Sequence, residues 1–136
     1  MGAATLLIML DTSALLEVDN LEPFDDEICL SAICYGELAM GVAIARSASE
    51  RLSRQSILAN LDGRGANWRP FDRLAAQAYA ELAAVVWQKR PAHARSKDIM
   101  IAGHAFSLGA SLATLNRADF EAVSDLVPLV HPVRIT

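Results

Sequence analysis

Short apolar runs alternate along this chain with longer helical segments, and that alternation limits its fold more than any other feature. Leu6-Leu7-Ile8-Met9-Leu10 reads as a buried strand, and Ile28-Cys29-Leu30 and Ser111–Leu115 read as further strands. Between them lie segments with helix signals. Asp11-Thr12-Ser13 turns into a short helix, Ala14–Val18; Ser31 caps a helix through about Ala45, and Ser47–Asn60 forms another. Asp72 caps a helix through about Lys89, Ser96 caps Lys97–Leu108 ahead of Gly109, and Ala118–Val123 is short. Trp68-Arg69-Pro70-Phe71 reads as an edge strand, because Pro70 cannot donate to a ladder, and Leu129–Ile135 as a last, proline-interrupted strand. Asn20–Glu27, Asp62-Gly63-Arg64-Gly65 and the basic stretch Arg90–Lys97 are left as loops. The pattern predicts one domain over residues 1–136, an α/β/α sandwich with a mainly parallel central sheet. In such folds the sites lie at the carboxyl ends of the strands.

Hydrophobic residues make up 53% of the chain, which excludes disorder. The two cysteines, Cys29 and Cys34, form neither a disulfide framework nor a zinc pattern, so a reducing cytoplasm is expected. No segment approaches the ~20 apolar residues of a membrane span, and the first apolar run has no basic leader. Charge is uneven. Residues 1–45 hold eight acids and no lysine or arginine, whereas residues 46–97 hold ten basic residues against four acids. An acidic part suited to a metal beside a basic part suited to a polyanion is one reading; solvated helix faces are the plainer one.

Four carboxylates sit where charge is costly. Asp11 ends the first strand, Glu37 lies inside an apolar helix, Asp98 opens the run Ile99-Met100-Ile101-Ala102, and Asp119 follows the strand Leu112-Ala113-Thr114-Leu115. Each has an ordinary alternative. Asp11 can be a helix cap, Asp98 a dipole-favoured acid in a first turn, and Asp119 part of a capping arrangement with Asn116. Glu37 is the hardest to dismiss, because Leu30, Ile33, Cys34, Met40, Gly41 and Ile44 lie within about 60° of it on a helical wheel. Asp98 shares its helix face with Ala102, Ala105 and Gly109, a face that packs closely on something. Ser13 is placed to hold a carboxylate or a water, and Thr114 and Asn116 to support Asp119. His104 points about 120° away from Asp98, and His93 and His131 are read as surface or core residues. Cys34 is read as core, since a site built of oxygens prefers a hard cation.

Together these residues resemble the PIN-domain ribonucleases, specifically the VapC-like toxins of toxin–antitoxin pairs. The matching pieces are Leu10-Asp11-Thr12-Ser13-Ala14-Leu15-Leu16, Leu30-Ser31-Ala32-Ile33-Cys34-Tyr35-Gly36-Glu37-Leu38, Lys97-Asp98-Ile99-Met100-Ile101-Ala102-Gly103-His104-Ala105 and Leu112-Ala113-Thr114-Leu115-Asn116-Arg117-Ala118-Asp119-Phe120. They stand in the family's order across nearly the whole chain; Leu115 departs, at a position where a polar or basic residue is frequent. The resemblance implies a PIN-like α/β/α fold, a Mg²⁺- or Mn²⁺-dependent endoribonuclease, and inhibition by a cognate VapB-like antitoxin. It matches Asp11, Glu37, Asp98 and Asp119 to the family's acidic positions, with Thr12 or Ser13, Thr114 and Asn116 as their supports.

The expected chemistry is phosphodiester hydrolysis, with Asp11 and Asp98 as principal metal ligands and Asp119, and Glu37 through water, completing the set or holding a second ion. Burial among Ile33 and Met40 would raise the Glu37 pKa and suit it as base. Arg46, Arg51, Arg54, Arg64, Arg69, Arg90, Arg95 and Lys97 are candidates for RNA phosphate contact, Arg95 and Lys97 foremost because they adjoin Asp98. The helix bearing Glu37 is apolar nearly all round, so a partner is expected over its far side, with Leu52, Ile57, Leu58 and Leu61 of the next helix completing a groove for an antitoxin segment. A face around Ile101, Phe106 and Leu108 would serve a homodimer within the toxin–antitoxin complex, core packing being the plainer fate of Ile101. Two other classes compete. A phosphatase-type domain would use Asp11 covalently but needs a second aspartate where Ser13 stands, and a receiver-type domain lacks its acidic pair and lysine. A catalytically silent PIN-like binding module would not need four acids.

Overall fold

The computed structural model describes residues 6–135. Five strands form one sheet in the order β3-β2-β1-β4-β5: β1 Leu7–Leu10, β2 Glu27–Ser31, β3 Trp68–Arg69, β4 Ser111–Ala113 and β5 Leu129–Val130. Every pairing between them is parallel. Among the described residues six helices flank the sheet: α1 Thr12–Leu16, α2 Ala32–Ala43, α3 Ala48–Gly63, α4 Arg73–Trp87, α5 Pro91–Ala94 and α6 Lys97–Ser107. This is the expected α/β/α sandwich.

Burial explains the strands. Met9, Cys29, Leu112 and Ala113 are fully enclosed, and Ile8, Leu10 and Leu30 nearly so, which is why their runs are apolar without alternation. Ser31, Ser47, Asp72 and Ser96 each accept a backbone N–H at the start of their helices, as the capping signals predict. Gly109 ends α6 at φ 67°, a conformation that favours glycine. The tightest approach on α6 comes through Gly103 rather than through the Asp98 face. A Cβ there would stand 2.5 Å from the Tyr79 Cα, so α4 and α6 cross nearly backbone to backbone.

Several boundaries differ from expectation. The stretch 90–97 is not all loop, because α5 forms within it on Pro91, whose fixed φ suits a first helical turn. α3 runs on through Asp62 to Gly63. β5 covers only two residues, since β4 offers it only Leu112 and Ala113 as partners. The proposed dimer face is mostly consumed by the core: Ile101 is fully buried and Leu108 packs against the cluster, leaving Phe106 partly exposed. α2 buries only Cys34 and Leu38. Tyr35, Met40 and Ile44 are exposed, so this apolar helix is covered on one side only. No helix among the described residues is long and apolar enough to cross a membrane.

Candidate active site

Strand order reverses at β1. The chain lays β2 and β3 on one side of it and β4 and β5 on the other, so the carboxyl ends of β1 and β4 flank the switch point where α/β sheets bind ligands. The register sets Leu10 beside Ala113. The next residue on each strand is therefore Asp11 and Thr114, and the Asp11 N–H donates to the Ala113 carbonyl at 3.0 Å.

Asp11 is buried, and its carboxylate is held at three points. Oδ1 accepts from the Ser13 hydroxyl at 2.6 Å and from the Ala14 N–H at 3.0 Å; Oδ2 accepts from the Thr114 hydroxyl at 2.6 Å. It caps α1 while its second oxygen is bonded across to β4's end at Thr114. The holders are themselves held. Ser13 Oγ accepts from the Leu115 N–H, and Thr114 Oγ1 accepts from the Asn116 N–H. Asn116 contributes through its backbone, not through the side chain expected to support Asp119. Thr12 donates to Glu37 Oε1 at 2.9 Å, tying α1 to α2. The stripe around Glu37 is only partly covered, because Met40 and Ile44 face solvent, so the enclosure by Met40 expected for a buried base is not there.

Asp98 links the four. Burial raises its pKa, the Asp119 carboxylate raises it further, His93 opposes, and the charges of Asp11 and Glu37 add to the rise. Its helix cap is made by Ser96, which leaves the Asp98 side chain free of that duty. The fields of Glu37 and Asp11 also reach Cys34, whose thiol is pushed up to about 12, mainly by burial, against a lowering hydrogen bond with Thr12. Cys34 is a neutral core residue. The ion pairs among the described residues are Arg54–Glu50, Arg64–Asp19, Arg117–Glu121 and Arg134–Glu17, and none involves the four acids.

Among the described residues no three His, Cys, Asp or Glu side chains form a ready-made ligand set for an ion. The acids share an electrostatic neighbourhood without closing into a cage. That arrangement fits a hard cation that keeps much of its water: Mg²⁺ is commonly bound through one or two carboxylates plus substrate phosphates. An all-oxygen donor set that, among the described residues, has no lysine or arginine ion-paired to it also suits such an ion.

The residue that sequence reasoning missed is His93. It lies on α5, and its Nε2–H donates at 2.8 Å to the carbonyl of Asp119, bracing the turn that carries this acid and bringing a basic group into the field of Asp98. Its partner is a backbone carbonyl distant in sequence, so no motif marked it. His104 is a core residue: its Nδ1 lies 2.8 Å from Ser31 Oγ, its ring meets Phe71 edge-on, and burial lowers its pKa. A groove of about 290 Å³, whose wall includes Leu15, Leu21, Phe24, Ile28 and Leu61, is lined by none of the four acids.

No model of a known protein family matches the sequence, and no curated protein matches it. Solved structures do. The chain is 25% identical to a chain of VapBC-1 from nontypeable Haemophilus influenzae, covering 92% of itself and 97% of that chain at a TM-score of 0.68. It is 23% identical to a chain of VapBC-5, a toxin–antitoxin system of Mycobacterium tuberculosis, covering 95% and 98% at 0.70. DNA-bound VapBC from Salmonella typhimurium gives 23% identity, 93% and 98% coverage, and 0.72. The chain has the VapC-like PIN-domain fold.

Proposed function

We propose that this chain is the toxin of a toxin–antitoxin pair, a divalent-metal-dependent endoribonuclease that works in the cytoplasm and is inhibited by a VapB-like antitoxin. One observation carries the reading: the charges of Asp119, Asp11 and Glu37, which come from the turn after β4, the end of β1 and α2, all raise the pKa of Asp98 on α6, and among the described residues none of the four acids has a lysine or arginine in an ion pair with it. Mutual repulsion of this kind is costly unless a cation relieves it.

Asp11 and Asp98 are the principal ligands in this reading, with Asp119 and Glu37 acting directly or through water. When bound, Mg²⁺ or Mn²⁺ supplies positive charge to the phosphate oxygens and lowers the pKa of a bound water. The chain's own residues prepare the site. Ser13, Ala14 and Thr114 hold the Asp11 carboxylate in one orientation, and Thr12 aims Glu37, which serves as base toward the attacking water. His93 fixes the turn bearing Asp119. Tyr35 and Met40 of α2, Ile44 just past its end and Leu52 of α3 are the exposed apolar side chains over which an amphipathic antitoxin segment lies. A homodimer within the complex is part of the same reading, with Phe106 available to it.

The test is RNA cleavage by the purified chain with Mg²⁺, with EDTA, and with Asp11→Asn or Asp98→Asn. Cleavage should collapse in the last three while circular dichroism shows an intact fold, and added metal should reverse the EDTA effect. Equal cleavage in EDTA, or full activity of both variants, refutes the mechanism. Co-expression with the neighbouring gene product should give an inactive complex that Tyr35→Glu disrupts.

A further inference from the structure

α4 ends on an aromatic side chain that the core does not use. Trp87 is its last residue and is half-exposed. Ala83, Ala84 and Ala80 lie one and two turns before it, on the side over which a helical side chain leans. Alanines leave a step beside the indole. With Tyr79, Ala94 and Arg95 they bound an open recess of about 300 Å³. The Arg95 guanidinium lies 5.4 Å from the indole centroid, a cation–π pair at the rim.

Arg95 is the charged residue in the wall of this recess. Lys89, Arg90, Arg95 and Lys97 follow α4 within ten positions of the chain, and among the described residues none of them makes an ion pair or a side-chain hydrogen bond. The segment is anchored, not loose: Ala94 is buried and His93 is bonded to Asp119. Arg95, which meets the indole, precedes Asp98 by three residues in the chain.

We propose that Trp87 and Arg95 form a nucleotide subsite, in which a base of single-stranded RNA flanking the scissile phosphate stacks on the indole–guanidinium pair and Lys97 takes a backbone phosphate. This rests on the ribonuclease reading for the word scissile, while the stacking itself does not. Flat aromatic surface next to unpaired cations suits an unstacked base on a phosphate chain better than it suits a neutral apolar helix. Stacking tolerates any base, so the subsite sets the path of the strand more than its sequence.

The experiment uses the full chain in EDTA with a labelled, unstructured eight-nucleotide RNA. Titration should quench tryptophan fluorescence. Trp87→Ala should weaken binding by about 5- to 150-fold, the equivalent of ~1–3 kcal/mol of base–aromatic stacking, and Trp87→Phe by much less. Lys97→Ala should lower the salt slope by about one and Trp87→Ala should not. Unchanged affinity in Trp87→Ala overturns the subsite. So does a Trp87→Ala chain that falls from dimer to monomer in sedimentation with the same affinity per chain, since the face then belongs to a second copy. Cleavage separates the two readings. If the wild-type chain cuts no RNA yet shows the Trp87-dependent quench, the subsite stands and the ribonuclease reading fails. If it cuts RNA and Trp87→Ala leaves KM unchanged, the ribonuclease reading stands and the subsite fails.

Discussion

Thr114→Val deletes one hydroxyl next to the most buried acid of the site and keeps the side-chain shape. Thr114 is 1% exposed and Asp11 3%, so water cannot replace what is lost. Two bonds go. Asp11 Oδ2 loses the donor at 2.6 Å, which is the hydrogen bond it receives among the described residues, and the Asn116 N–H loses its acceptor at 2.9 Å. A hydrogen bond to a charged group contributes ~1.5–3 kcal/mol, and leaving the carboxylate oxygen unpaired brings the loss to the upper part of that range, roughly 2–3 kcal/mol. At roughly 3–4 °C per kcal/mol for a chain of this size, Tm should fall by on the order of 6–12 °C. Thr114→Ser should retain most of it.

The assay is a double-mutant cycle in urea, without divalent cations, using Thr114→Val, Asp11→Asn and the pair. In the Asp11→Asn background the acceptor is neutral, so the hydroxyl contributes only ~0.5–1.5 kcal/mol and the coupling should be about 1 kcal/mol or more. A Thr114→Val cost that is equal in the two backgrounds, within about 0.3–0.5 kcal/mol, refutes the claim that this hydroxyl acts through the Asp11 charge.

Gly103→Ala places a Cβ 2.5 Å from the Tyr79 Cα and 2.6 Å from its N, against backbone that cannot rotate aside, so α4 and α6 must separate; urea unfolding should show a loss of about 1–3 kcal/mol. Asp98→Asn should raise Tm in EDTA near pH 7. The sign follows from the raised Asp98 pKa: above the unfolded carboxylate value of about 3.9 the folded state holds the proton more tightly, so its stability falls as pH rises toward the folded pKa, and the ionised group is a burden from there upward. Mg²⁺ should raise the Tm of the wild-type chain and do so less for Asp98→Asn, and equal shifts would remove Asp98 from the metal site.

The elements were readable from sequence where burial writes a pattern. β1 has no polar residue because both its faces are covered, and Ser31, Asp72 and Ser96 announce their helices because a cap needs a short side-chain oxygen. Asp11 and Asp98 were readable for the same reason, as charges set at the ends of apolar runs. α5 was not, since four residues are too few to show a period, although Pro91 at its first position is a usable signal. The uncovered side of α2 was readable only as an all-apolar helix. Which of its residues the rest of the domain covers depends on how far α3 reaches along it, and that is a property of packing.

The site itself exposes a different limit. Asp11, Ser13 and Thr114 form one bonded unit because β1 and β4 are paired with Leu10 opposite Ala113, and slipping that register by one residue would turn Thr114 away from Asp11. Nothing local to either strand states the register. β4 reaches the side of β1 opposite β2 by the crossover from β3, residues 70–110. That crossover carries α6 with Asp98, and the turn with Asp119 follows β4. A chain that must bring four acids together has an evident difficulty, because each arrival raises the cost of the next. Here the difficulty is met by attaching the acids to separate elements whose apolar packing is independent of them, with Ile99, Ile101, Ala102 and Ala105 buried on α6 beside Asp98. The core therefore supplies the free energy that holds the charges together, which is why neutralising Asp98 should stabilise the fold while a cation should do so only where the acids remain.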